Sequence, residues 1–197
     1  MILVHLDCFH TCRSDGGKEF IISRVPFLSG TDKQWLGQGY YLWTDSDFFA
    51  HDWGKDHYQS RYAINQFEVQ VPKDLFWDLV GNVQHQREFI DFKNQFHCFL
   101  DEIVKNATPA KKQKTQQTIQ RLKQQEIKVS TLFWVLRKLH KLAYKVVKAS
   151  DLKSRQTESL EFVQGRGGEC IFLPTRQQIV VYPEAKDMIH HINWIYP

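Results

Sequence analysis

The pattern of apolar residues changes along the chain, with strand-like segments at both ends and a long stretch of helical spacing between them. Ile2–Phe9 is a largely apolar run that predicts a buried first strand ending at His10-Thr11. Tyr62–Val71 contains the alternation typical of a strand, and Gln178–Tyr182 predicts another strand near the C-terminus. Because the two ends must form a sheet around a helical middle, the sequence predicts the α+β class.

Residues at about 84–150 form this helical middle. Apolar side chains recur at helical spacing up to Lys105, and Thr131–Val147 carries an apolar stripe along one predicted helix. The segment between them, Lys111–Gln125, is rich in Lys and Gln and has almost no apolar stripe. We therefore predict one domain over residues 1–197, with a basic helical insertion between two β-rich halves.

Composition restricts the class of protein further. With 42% hydrophobic and 14% aromatic residues, a chain of 197 residues buries enough apolar surface to fold without disulfides. Its four cysteines form no Cys-x-x-Cys pair, which predicts reduced thiols and a cytoplasmic protein. The N-terminus lacks the features of a signal peptide and no apolar run is long enough to span a bilayer, so we expect no membrane association.

Three features in order along the chain predict a common site. The first is Phe9-His10-Thr11, and the second is Gly37-Gln38-Gly39-Tyr40-Tyr41-Leu42, followed by a predicted helix through Ala50 and Trp53. The third is Glu169, which follows a glycine-rich loop and begins an otherwise apolar strand. A half-buried carboxylate in such a strand is costly without a partner, which favours a functional role for it.

The order of these features resembles the ADP-ribosyltransferase family, and within it the His-Tyr-Glu branch. Phe9-His10-Thr11 resembles that branch's Tyr-His-Gly-Thr with the glycine absent, and Gly37–Leu42 resembles its Gly-x-Gly-Ile-Tyr-Phe. Glu169–Pro174 is similar to the glutamate-bearing strand of bacterial toxin members. The resemblance extends over residues 9–53 and 162–182.

The chemistry of that family explains why these residue types occur together. When NAD⁺ loses nicotinamide, its ribose passes through an oxocarbenium-like state, which a carboxylate such as that of Glu169 stabilises. The ring of Tyr41 is suited to stack on the cationic nicotinamide, and His10 is suited to hydrogen-bond a ribose hydroxyl. This chemistry requires no metal.

The resemblance thus implies a split, mixed or antiparallel sheet whose cleft binds NAD⁺ as co-substrate. It implies catalytic roles for His10, Tyr41 and Glu169. Contacts to NAD⁺ are expected at His10, Thr11, Arg13, Gly39, Tyr40 and Tyr41. The bacterial toxin members further imply a toxin of the toxin–antitoxin or phage-defence type, with an antitoxin protein as its partner.

A nucleic acid, RNA or DNA, is the expected acceptor of the ADP-ribose in preference to protein. Lys111, Lys112 and Lys114 make the insertion basic enough to attract phosphate backbones, although such a run is also typical of a solvated helix face. Arg166, in the glycine-rich loop, is a further candidate for acceptor binding. Gly167 occupies a position where many family members carry the Glu or Gln that selects a protein side chain.

Two alternative functions use the same residues differently. In an NAD⁺ glycohydrolase, water replaces the acceptor. In a nucleic-acid-binding module without catalysis, the basic helices carry the function, and His10 and Tyr41 are ordinary strand residues. A metal site at His5, Cys8, His10 and Cys12 is disfavoured, because their spacing fits no zinc pattern and alternation along a strand separates them.

Overall fold

A computed structural model describes residues 2–31, 34–150, 158–161, 170–173 and 175–197, and its architecture is α+β, as the sequence predicts. The strands are β1 (Leu3–Arg13), β2 (Tyr40–Thr44), β3 (Tyr62–Pro72), β4 (Phe76–Asp78), β5 (Val146–Ser150), β6 (Glu158–Glu161), β7 (Cys170–Leu173), β8 (Gln177–Val181) and β9 (Ile189–Tyr196). The helices are α1 (Gly17–Ile22), α2 (Phe48–Tyr58), α3 (Val83–Asn94), α4 (Phe96–Lys105), α5 (Pro109–Lys123) and α6 (Val129–Lys138). Short 3₁₀ turns occur at Lys73–Leu75 and Pro183–Met188.

Seven strands form one mixed sheet in the order β4-β5-β8-β2-β1-β3-β9, while β6 and β7 pair with each other as an antiparallel ribbon. Within the sheet, β4 and β5 run parallel and the other described neighbours run antiparallel. Parallel neighbours require a long crossover connection, and α3 to α6 provide it here. The helical middle of the chain therefore connects two adjacent strands of the sheet.

Strand β1 is paired very differently on its two sides. Its pairing with β3 is continuous from Leu3 opposite Pro72 to Arg13 opposite Tyr62. Its pairing with β2 consists of Cys8 opposite Thr44 and the adjacent pair, after which the two strands separate. The prediction that the first strand ends at His10-Thr11 is wrong, because β3 supplies a backbone partner for every residue up to the end of β1.

Alternation along the strands directs neighbouring residues into two hydrophobic layers. Val180 lies in the layer beneath helices α3 to α6, together with Trp77 of β4 and Phe133 of α6. Its neighbour Val181 lies in the opposite layer, together with Phe67 of β3. Helices α3 to α6 are thus held to one face of the sheet by burial of large apolar side chains.

The helical middle differs from the prediction at two points. The helix predicted up to Lys105 is divided at Gln95 into α3 and α4. The helix predicted to continue through Val147 ends instead at Lys138, since His140 adopts the left-handed conformation with φ 53° and the N–H of Lys141 bonds back to the Leu136 carbonyl. The next apolar residues then form β5, which pairs with β4 and β8.

Candidate functional site

A cavity of about 680 Å³ lies where β1 and β2 separate, and we call it the cleft. Strand β1 contributes His10 through Arg13 to its lining, and β2 contributes Tyr41 and Trp43. Helix α2 supplies an aromatic wall that includes Trp53. The separation of two neighbouring strands therefore opens the sheet next to four of the predicted site residues, His10, Thr11, Arg13 and Tyr41.

His10 bridges the opening through both nitrogens of its ring. The backbone N–H of Phe27 donates to Nε2 over 3.2 Å, so Nε2 carries no proton. Nδ1 is therefore protonated and donates to the carbonyl oxygen of Tyr41 over 3.0 Å. The side chain is 8% exposed, and this burial lowers its pKa, so the neutral form is favoured.

Tyr41 lines the cleft with a ring whose orientation is fixed through its hydroxyl. That hydroxyl accepts from the N–H of Leu36 over 2.9 Å and donates to the carbonyl of Gly37 over 2.8 Å. The same loop is held by Tyr182, whose hydroxyl donates to the Leu36 carbonyl over 3.0 Å. Burial raises the pKa of Tyr41, so the phenol remains neutral and its ring provides a rigid, uncharged surface.

The structure also describes three further residues that are predicted to contact NAD⁺: Thr11, Gly39 and Tyr40. Thr11 lines the cleft, but its hydroxyl donates to the Ala50 carbonyl over 2.8 Å and so fastens α2 to β1. Gly39 packs against β8 so closely that a Cβ would lie 2.5 Å from a methyl group of Val180. Tyr40 is buried in the layer opposite helices α3 to α6, and neither it nor Gly39 lines the cleft.

Two guanidinium groups line the cleft, and one of them belongs to a predicted site residue. Arg13, the predicted one, lies 5.5 Å from the centroid of the Tyr58 ring. Arg176 was not predicted; it is 4% exposed, and its guanidinium lies 4.7 Å from the ring centroid of Trp43. Asp15 is the one carboxylate among the described lining residues, so cations outnumber anions there. An arginine beside a strand has no distinctive sequence signature, so the sequence does not indicate Arg176 as a site residue.

The remaining predicted residues are Glu169, Arg166 and three lysines of the helical insertion. Glu169 and Arg166 lie outside the described residues, which resume at Cys170, the first residue of β7. Lys111, Lys112 and Lys114 are exposed on α5 and do not line the cleft.

Neither a metal site nor a membrane-spanning helix occurs in the described structure. No group of three or more His, Cys, Asp and Glu side chains there is arranged to hold a metal ion. His5 pairs with Glu68 at 2.8 Å, and burial raises the pKa of the Cys8 thiol, which opposes formation of a metal-binding thiolate. None of the described helices combines the length and apolar character that crossing a membrane requires.

Comparison with models of known protein families, with curated protein sequences and with solved structures found no match to this chain.

Proposed function

We propose that the cleft binds NAD⁺ and that this protein transfers its ADP-ribose to another molecule with release of nicotinamide. The observation that carries the proposal is that His10 and Tyr41 meet at the opening between β1 and β2, in a cavity of about 680 Å³. A cavity of this volume lies within the range typical of small-molecule and cofactor sites. Its lining combines aromatic surfaces for the two rings of NAD⁺ with cations for its phosphates.

The fixed ring of Tyr41 supports the assignment of a nicotinamide platform. Because its hydroxyl is already bonded to Leu36 and Gly37, little side-chain entropy is lost when a ligand stacks on the ring. The electron-rich face attracts the cationic nicotinamide of NAD⁺ more strongly than the neutral nicotinamide that is released. Arg13 and Arg176 are the groups we assign to the pyrophosphate, with which guanidinium forms strong paired hydrogen bonds.

His10 is assigned to the nicotinamide ribose, with one condition that follows from its bonding. Its Nε2 accepts from the N–H of Phe27, so a ribose hydroxyl must replace that donor when it binds. Phe27 also lines the cleft, which makes its segment the part of the wall that we expect to shift. The bond from Nδ1 to the Tyr41 carbonyl can persist and keep the imidazole oriented.

In the proposed reaction, the bond between ribose C1′ and the nicotinamide nitrogen breaks, and its electron pair leaves with nicotinamide. A nucleophile on the acceptor then bonds to C1′ and loses its proton. Glu169 is assigned to stabilise the positive charge on the ribose in the transition state, as the sequence resemblance implies. We infer further that the protein acts as a bacterial toxin neutralised by an antitoxin.

The test is incubation with NAD⁺ labelled in its adenylate, alone and with RNA, DNA or bacterial lysate. We expect label on an acceptor with the wild type and a loss of turnover of about a hundredfold or more in Glu169→Gln. Glu126→Gln, which alters an exposed carboxylate beyond α5, is the matched control and is expected to retain activity. Release of all label as free ADP-ribose would identify a glycohydrolase, and no consumption of NAD⁺ would refute the proposal.

Expression in bacteria tests the toxin role separately. Wild-type protein is expected to stop growth, whereas Glu169→Gln at an equal cellular level is expected to be harmless. Equal toxicity of the two proteins would dissociate toxicity from NAD⁺ chemistry and contradict the role.

A further inference from the structure

We propose that a second groove, next to the cleft, binds a single-stranded polynucleotide. This α6 groove lies between the loop that precedes β2 and the outer face of α6, and it encloses about 340 Å³. The residues that carry the argument are Gln34 and Gly37 of the loop and Ser130, Trp134, Arg137 and Lys138 of α6.

Helix α6 presents two faces of different chemistry. Its inner face is buried in the core and consists of Leu132, Phe133, Val135 and Leu136. Ser130, Trp134, Arg137 and Lys138 recur at helical spacing and share the outer face. Trp134 is 45% exposed although the residues on both sides of it are fully buried. The core therefore does not account for this indole, whose surface is open to a ligand.

The charge of the α6 groove favours an anion. The guanidinium of Arg137 is held in place, 4.0 Å from the centroid of the Tyr182 ring and 3.5 Å from a carboxylate oxygen of Glu184. Lys138 is exposed and forms no ion pair with any residue that the structure describes. No carboxylate occurs among the described lining residues of the groove. One ammonium group beside an exposed indole is thus available for an anionic aromatic ligand.

A nucleotide in a single strand has the features that this arrangement recognises. Its unpaired base offers a face that stacks on an indole, and its phosphate attracts Lys138 and Arg137. A duplex fits poorly, because its bases are already stacked on one another and offer no free face to Trp134. The polar side chains of Ser130 and Gln34 add hydrogen-bonding partners for the base or sugar.

The α6 groove also adjoins the cleft, because Gln34 lines both cavities. The inference that the groove binds a polynucleotide does not depend on the proposed function. The further inference that the bound polynucleotide is the acceptor of ADP-ribose rests on the proposed function. In this proposal the α6 groove, rather than Lys111, Lys112 and Lys114 of α5, is the main contact surface, because those three residues line neither the cleft nor the groove. Their charge then acts only at a distance, where salt screens it.

The experiment measures binding of a fluorescent oligonucleotide of about ten nucleotides, as RNA and as DNA, without NAD⁺. We expect Trp134→Ala to weaken binding about tenfold or more, and Trp134→Phe to retain most of the affinity. Lys138→Glu is expected to cause a similar loss and to reduce the salt dependence by about one phosphate contact. Lys112→Glu makes the same charge change on α5 and is expected to reduce affinity by no more than about threefold.

The outcomes separate this inference from the proposed function. Binding of RNA, DNA or both, with loss in Trp134→Ala and Lys138→Glu, supports the α6 groove and identifies the preferred strand. No binding of either oligonucleotide, or equal losses in Lys138→Glu and Lys112→Glu, overturns it. Titration with NAD⁺ alone provides the second readout, and we expect Trp134→Ala to bind NAD⁺ as the wild type does. If NAD⁺ binds but neither oligonucleotide does, the assignment of the α6 groove is refuted and the assignment of the cleft stands. If an oligonucleotide binds but NAD⁺ does not, only the assignment of the cleft is refuted.

Discussion

Strand β1 is paired with β3 along its whole length but with β2 along only a short part, although the same residues lie between both neighbouring strands. Toward β3, every residue from Leu3 to Arg13 has a partner, and the sheet is closed. Toward β2, the pairing stops after Phe9 opposite Trp43, and a cavity occupies the space that further pairs would fill. The closed side is stabilised by ladder hydrogen bonds and apolar packing, whereas the open side is held by individual side-chain bonds such as those of His10.

This difference separates stability from binding along a single strand. A strand that is fully paired on one side keeps its position while its other edge remains unpaired. The unpaired edge then offers polar groups and side chains to a ligand. Substitutions on the closed side should therefore affect mainly stability, and substitutions on the open side should affect binding as well.

The largest expected effect lies on the closed side. Ile64 of β3 is fully buried, and Ile64→Ala leaves a cavity in the core. We expect the free energy of unfolding to fall by about 3 kcal/mol, as measured by urea denaturation. The matched control is Ile192→Ala on β9, a side chain that is 48% exposed, with an expected change below about 0.5 kcal/mol. Equal losses in the two variants would show that burial of Ile64 does not stabilise the closed side.

Tyr41 tests the open side with a pair of variants. Tyr41→Phe removes the hydroxyl that joins Leu36 N–H to the Gly37 carbonyl, and we expect a loss of stability of about 1–2 kcal/mol with the stacking surface retained. Tyr41→Ala also removes the ring and is expected to weaken NAD⁺ binding about tenfold beyond Tyr41→Phe. Calorimetric titration with NAD⁺ compares the two. Equal affinities would exclude the ring as a platform.

Arg176 tests whether the buried cation of the cleft serves a ligand. Arg176→Met keeps an unbranched apolar side chain beside Trp43 but removes the charge. We expect NAD⁺ affinity to fall about tenfold, since a charge-assisted hydrogen bond to phosphate is lost. Arg121→Met, on the exposed surface of α5, is the control and should leave the affinity unchanged. An unaltered affinity in Arg176→Met would assign this arginine to the fold alone.

The smallest expected effect is a dependence of stability on pH through His10. Burial lowers its pKa in the folded protein, so below about pH 6.5 the unfolded chain binds a proton more readily than the folded one does. This contribution to stability is complete above that pH and declines as the pH falls toward the lower folded-state value. Protonation would also place a second N–H against that of Phe27.

His10→Gln supplies the control for this pH dependence, because glutamine does not titrate. Burial also lowers the pKa of His191, and its contribution runs in the same direction in both proteins. We therefore expect denaturation at pH 5 to 7 to show a weaker loss of stability in His10→Gln than in the wild type. Parallel curves would mean that His10 does not contribute.

Several elements were predictable because their signals are local. The strand predicted at Tyr62–Val71 forms β3, and the Lys- and Gln-rich segment of the helical middle forms α5. The end of β1 was not predictable, because pairing with β3, 49 or more residues further along the chain, extends it past Thr11 to Arg13. The end of α6 was missed because an apolar stripe continues into β5, while the left-handed residue that stops the helix is His140 rather than glycine.

The candidate site shows the same division. The sequence indicated His10 and Tyr41 as functional candidates because the short motifs that contain them occur in a recognisable order along the chain. It did not indicate that both nitrogens of His10 would be engaged by Tyr41 and Phe27. Nor did it indicate Arg176 or the exposure of Trp134, because an amphipathic pattern does not reveal which aromatic side chain on a helix the core leaves uncovered.

By itself, the sequence determined the α+β class and the succession of a β-rich, a helical and a second β-rich region along the chain. These properties depend on short-range periodicity, which decides the direction of a side chain from its own element. Only the tertiary structure decided that β1 and β2 separate after two pairs, and that Gln34 lies between two cavities. Such properties depend on contacts between distant segments, where the geometry of the whole sheet outweighs the preference of any one residue.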